Sequence, residues 1–221
     1  MAIDPRRRAK QLAKKAAKQK TQRAKKRRSE ATASARYSPA EITRAAALPI
    51  HECLLLEKLF ELGIGHVLVS RRLANRIAVV SFLVDVYCLG VKDVLFTIVP
   101  AERYNSVVER SGGGFRMVRI DPACARKLVE GAVAYAQSLG LRAHEDYHAS
   151  KLIFGDIDVT ACTTEFEFGK DGKPLFVSGP YDTPARCRMI LAALEEHCGP
   201  KGFHFVLGQG GFDLDEEDSD F

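Results

Sequence analysis

From about residue 50 onward the apolar residues come in short dense runs broken by polar residues and glycines. "HECLLLEKLFELG" sets Leu55, Leu59 and Leu62 at helical spacing ahead of Gly63, which predicts a short helix over 51–63. "HVLVSRRL", "RIAVVSFLVDVYC" and "VKDVLFTIV" are rich in Val, Ile and Phe, with short breaks at Ala74–Asn75 and Leu89–Gly90. They predict an antiparallel meander of three strands. "RYNSVVERSGGG" reads as a short helix closed by a glycine turn. "DPACARKLVEGAVAYAQSLG" carries the strongest helix signals in the chain: Asp121 as N-cap, Pro122 at the first helical position and Gly140 as stop. A shorter helix is expected in "EDYHASKLIFG".

In "EFEFGKDGKPLFVSG", alternating residues flank Asp171–Gly172, a hairpin signal, and Pro174 suits a strand edge. "DTPARCRMILAALEEHCG" repeats the capping pattern, with Asp182 or Thr183, then Pro184, and Gly199 at the end. "FHFVLG" reads as a last strand. The fold class expected is therefore α+β: antiparallel meander and hairpin sheet segments with helices packed on them. The globular part spans 51–207, with a division into two small subdomains near 110–121 as an alternative arrangement. Residues 37–50, bracketed by Pro39 and Pro49, read as a linker.

Charge changes the picture at the two ends. Residues 1–36 hold 14 Lys/Arg against two acids, Asp4 and Glu30, whereas "DLDEEDSDF" at 213–221 holds six acids and no base. The 37–212 remainder, with 19 bases and 20 acids, is nearly neutral. This asymmetry marks interaction tails: a basic arm over 1–36 and a flexible acidic tail over 208–221. Within the arm, Leu12 is the only large apolar residue between positions 6 and 28, so there is no stripe to bury. Lys10–Lys14, Lys14–Lys18 and Arg23–Arg27 place like charges four apart, where they repel on a helix.

The free arm is thus expected to be disordered or a fraying helix that orders on a polyanion. Its contacts would come from Arg6, Arg7, Arg8, Lys10, Lys14, Lys15, Lys18, Lys20, Arg23, Lys25, Lys26, Arg27 and Arg28. No aromatic residue interleaves these charges, so the arm would grip phosphates of RNA, DNA or a ribonucleoprotein without reading bases. A targeting address or a solubilising extension is the plainer alternative. Arg71, Arg72, Arg76, Arg116 and Arg119 would enlarge the basic surface if they shared a face. A membrane role is not expected: the arm lacks a bulky apolar face, no secretory h-region follows it, and no apolar run reaches spanning length.

Chemistry-bearing patterns are sparse. "HEDYH" at 144–148 fits H-E-x-x-H, in which His144 and His148 would hold zinc and Glu145 would activate water. Asp146 beside the metal position, the break at Gly140 and the lack of a third ligand at a recognisable spacing weigh against it. Asp85 with Asp156 and Asp158 would bind Mg²⁺ for phosphodiester cleavage if the three converged. A protein–protein adaptor is a further alternative. The cysteines (Cys53, Cys88, Cys124, Cys162, Cys187 and Cys198) form no C-x-x-C, and reduced thiols in the cytoplasm are the simplest expectation. "RSGGGFR" and "GQGGFD" lack the order of a phosphate-binding loop and read as connectors. The chain is thus expected to be a cytoplasmic binding protein with a non-catalytic body and no cofactor.

Overall fold

The computed structural model describes residues 38–180 and 182–208. The basic arm, with all thirteen of its expected phosphate contacts, and the acidic stretch 213–221 lie outside the described residues. The fold is α+β. Helix α1 (Pro39–Ala46) leads into β1 (Ile50–Leu56), and the one-turn α2 (Leu59–Leu62) precedes the long strands β2 (Ile64–Leu73), β3 (Arg76–Asp85) and β4 (Gly90–Pro100). After α3 (Tyr104–Gly112) and β5 (Met117–Arg119) comes α4 (Pro122–Ser138). The one-turn α5 (Tyr147–Ser150), β6 (Leu175–Val177), α6 (Pro184–Cys198) and β7 (His204–Val206) complete the order. The main sheet runs β4-β3-β2-β1-β5, antiparallel throughout.

Burial follows from the pleat. Leu54, Leu68, Ile77 and Val79 share one face and pack under Tyr104 and Val107 of α3. Val67, Val69, Val80, Phe82 and Val84 share the other, fully buried face. Helix α4 crosses β1 to β4, and Phe82 stacks on Phe154 with Tyr147 of α5 against its edge. β3 is therefore covered on both sides, which explains why "RIAVVSFLVD" reads as an unbroken apolar run. A second core gathers Phe176, Cys187, Ile190 and Leu194 against Cys88, Leu89 and Leu139.

The meander and helices α3, α4 and α6 stand where the patterning puts them, and the caps act as expected. The Asp121 carboxylate accepts from the Ala123 N–H and the Thr183 hydroxyl from the Arg186 N–H. Four expectations need correction. Residues 51–56 are not helical but form β1, because that segment carries two ladders, to β2 and to β5; only Leu59–Leu62 turns as a helix before Gly63. Residues 37–50 are not a simple linker: Ile42, Ala45 and Ala46 bury one face of α1. No boundary falls at 110–121, since β5 extends the main sheet and α4 covers it.

The 165–177 hairpin is a turn without arms. Asp171 and Gly172 both take positive φ, and Lys170 and Lys173 exchange backbone hydrogen bonds across them. The next donor that would extend the ladder, the Leu175 N–H, goes to Tyr87 O instead. Beyond the turn, Gly169 and Leu175 bond to Val86 and Tyr87, and β6 pairs in parallel with β7.

Gly63 shows how tightly one corner is built. It takes φ +76°, and a Cβ there would collide with the Tyr87 ring, whose hydroxyl donates to the Phe60 and Glu61 carbonyls. Gly63→Ala is therefore expected to lower unfolding free energy by about 2 kcal/mol in a urea titration. A change within about 0.5 kcal/mol would show that the corner is looser than described.

Candidate functional site

A cleft of about 850 Å³ opens between α1, the loop after it, α4 and the 3-10 turn Lys151–Phe154. Arg71 lines its floor. The alternation Val67, Val69, Arg71 along β2 puts this arginine on the buried face, where it is only 4% exposed. Its guanidinium meets carbonyls. Nη1 donates to Leu48 O at 2.8 Å, Nη2 to Phe154 O at 2.7 Å and Ile153 O at 3.0 Å, and Nε to Ile153 O at 3.2 Å. Burial pulls its pKa below the ordinary arginine value, and the charge of Asp156 acts in the opposite direction. Gly155 must be small here, because a Cβ would sit 3.0 Å from Ala46 O and 3.3 Å from Arg71 Nη2.

The rest of the cleft is a mixture of charges. Arg126 Nε bonds Glu130 at 3.0 Å, and its Nη1 donates to Ile157 O at 2.7 Å. The Lys151 ammonium stands 5.8 Å from the centre of the Tyr147 ring. Arg71 and Arg126 are thus occupied in holding the backbone of 153–157 and Leu48. The floor of the cleft is a fastening, and its chemistry is hydrogen bonding to peptide carbonyls.

Asp85 is elsewhere. It pairs with Ile64 at one end of β2, and Arg71 lies seven residues further along that strand. At about 3.3 Å per residue this separation is roughly 23 Å. The Asp85 carboxylate accepts from the Tyr87 and Cys88 N–H groups at 3.0 and 2.9 Å and so holds the β3–β4 turn. Burial raises its pKa, against the opposing charge of Lys92 and these hydrogen bonds. Asp156 lines the cleft, and Asp158 caps the turn Val159–Ala161 by accepting from the Thr160 N–H at 2.9 Å. The hydrogen bonds to Thr160 lower the Asp158 pKa. The three carboxylates do not converge.

Nor does "HEDYH" form a metal face. The helix begins only at Tyr147, so His144 stands before it, with Nδ1 accepting from the Asp146 N–H, while Glu145 and His148 are exposed. Among the described residues no group of three His, Cys, Asp or Glu is placed to hold a metal ion. The expected basic surface on the body also changes: Arg71 is buried, Arg119 pairs with Glu52 at 3.1 Å and Arg116 with Glu57 at 3.8 Å.

Two features escaped the sequence reading. Cys124 and Cys162 are joined in a disulfide, which corrects the expectation of six reduced thiols. Cys53, Cys88 and Cys187 are buried free thiols. The second feature is a partly buried pair, Ser81 Oγ with His66 Nδ1 at 2.9 Å, whose partners come from adjacent strands. Burial lowers the His66 pKa, with Asp93 opposing. The only signal for Arg71 was its parity with Val67 and Val69; neither the disulfide nor the Ser81–His66 pair has a local motif. Comparison of the chain with protein-family models, curated proteins and solved structures finds no match.

Arg71→Met would strand the Leu48, Ile153 and Phe154 carbonyls. It is expected to cost roughly 3 kcal/mol by chemical denaturation. Arg71→Lys should recover less than half of that, because one ammonium cannot span three carbonyls as the planar fork does. Equal stability of Arg71→Met and the parent would refute the clamp. Asp85→Asn and Asp156→Asn should have additive effects on stability to within about 0.5 kcal/mol, as expected of separate sites. A coupling above about 1 kcal/mol in that double-mutant cycle would instead place the two carboxylates in one site.

Proposed function

We propose that this chain is a nucleic-acid- or ribonucleoprotein-associated binding protein whose residues 1–36 grip phosphates while the folded body serves as a non-catalytic docking module. The observation that carries this reading is the segregation of charge: 14 Lys/Arg against two acids in 1–36, beside a nearly neutral 37–212. Phosphate binding relieves the repulsion between like charges four residues apart, so the arm gains order and affinity together. The affinity is electrostatic and independent of base sequence, because no aromatic residue stands among the cations to stack on bases. The partner is RNA or DNA, free or in a particle.

The body supports the reading by the way its own cations are used. Arg71 is spent on carbonyls, and Arg126, Arg116 and Arg119 on carboxylates or carbonyls of the same fold. The Arg116 and Arg119 pairs are exposed and hold little, but bases and acids nearly balance over 37–212, which leaves the arm as the concentrated source of positive charge. Among the described residues no helix is long and apolar enough to cross a membrane.

The test is binding of a labelled 20-nucleotide RNA of mixed sequence, by fluorescence anisotropy, to the full chain and to a chain lacking residues 2–36. The full chain should bind with log affinity falling against log salt at a slope of about −4 or steeper, the value for roughly six phosphates neutralised on a single strand. Removing the arm should reduce affinity at low salt by at least about 100-fold, with the far-ultraviolet circular dichroism of the body retained. Undiminished affinity of the shortened chain would overturn the reading.

A further inference from the structure

We propose that the Cys124–Cys162 disulfide is a thiol-exchange site, opened by soluble low-molecular-weight thiols or dithiols, which fastens residues 156–165 to α4 when oxidised and releases them when reduced. The inference stands independently of what the arm binds.

It begins with what else holds that segment. Of residues 156–165 only Cys162 is buried, and the regular structure there is the single 3-10 turn Val159–Ala161. Arg126 Nη1 reaches the Ile157 carbonyl at its near end. Lys127 Nζ reaches the Cys162 carbonyl at 3.4 Å and Glu165 at 2.6 Å, but Glu165 is 85% exposed, where an ion pair contributes little. The flanks are anchored: Phe154 is buried against Phe82, and Phe166 stacks on Phe60. Between these anchors the disulfide is the strongest fastening in an otherwise solvent-facing stretch.

Of the other four cysteines, all free thiols, Cys198 is half-buried and the remaining three are buried. Cys53 and Cys88 are buried with their thiols pushed up to about 12, and burial also raises Cys187, so these thiols stay protonated and inert. Cys124 is half-buried in the first turn of α4, after the N-cap Asp121, and Lys127 stands one turn on. Cys124 is the partly exposed sulfur of the pair and Cys162 the buried one, so an external thiolate reaches Cys124 first. The step balances simply. An external thiolate attacks Sγ of Cys124 and expels the Cys162 thiolate, which takes up a proton. A second external thiolate attacks the mixed disulfide at the external sulfur and releases Cys124. Two external thiols are oxidised to one disulfide, and the protein's disulfide is reduced to two thiols.

The experiment uses the full chain, equilibrated in oxidised glutathione or in dithiothreitol, with native-state alkylation by iodoacetamide and peptide-level hydrogen exchange read by mass spectrometry. After oxidation, Cys124 and Cys162 should be recovered as one cross-linked peptide pair and remain unlabelled. After reduction, both should be alkylated while Cys53, Cys88 and Cys187 stay protected and Cys198, free and half-buried in either state, labels equally before and after; exchange over 156–165 should quicken at least tenfold. Exchange in β2 and β3 should stay within twofold. Cys162→Ser should behave as the reduced parent does; should that variant not fold, the reduced parent alone decides. The proposal falls if the oxidised protein lacks the cross-link, if reduction leaves 156–165 unchanged, or if it speeds exchange across the whole sheet.

Discussion

A charged arginine turned toward the interior of a sheet is the constraint around which this body is arranged. Placing Arg71 on the buried face of β2 forfeits its hydration, a loss tolerable only if its donors are met. Three carbonyls meet them, and they come from two separate places: Leu48 after α1, and Ile153 with Phe154 at the end of a 3-10 turn. One side chain therefore dictates where α1 and the 151–154 turn lie on the sheet. Its neighbours follow. Gly155 is small because Ala46 and Arg71 crowd it, and Phe154 is held where it stacks on Phe82. The segment before β1 becomes part of the domain for the same reason.

This economy bears on function. The body's buried arginine is spent on carbonyls, and its carboxylates are spread over separate structural duties. Asp85 ties a turn, Asp158 caps one and Asp121 starts a helix. The proposed division of labour assigns recognition to a hydrophilic extension and leaves the folded part to be held. The disulfide adds a second kind of control. It joins α4 to a segment 38 residues further on that has almost no apolar anchor of its own.

Much of the architecture was legible because the relevant signals are local. β2, β3 and β4 are apolar runs with short breaks, and α4 and α6 carry both their caps and their stops within the helix sequence itself. Where the reading failed, the deciding partner was distant in sequence. Leu55, Leu59 and Leu62 suit a helix, yet Cys53, Leu54 and Leu56 are claimed by ladders to β2 and β5. The Asp171–Gly172 turn forms as its residues demand, but the Val86 and Tyr87 carbonyls divert its arms. Nothing local in the sequence sets Arg71 apart from surface cations, because its guanidinium partners lie 23 to 83 residues away. The Cys124–Cys162 bond likewise has no nearby motif.

The most direct test of the clamp is native-state hydrogen exchange of the full chain in low denaturant, read by NMR as opening free energies for single amides. If Arg71 binds its three segments into one cooperative unit, Leu48 and Gly155, whose amides donate to Ala45 O and Leu152 O, should open with the same free energy as Val69 and Val80 in the sheet. Opening of Leu48 and Gly155 several kcal/mol below the strand amides, with no dependence on denaturant, would show that α1 and the 151–154 turn come away while the sheet remains intact. Arg71 would then be a passenger in the fold, and the account built on it would be wrong.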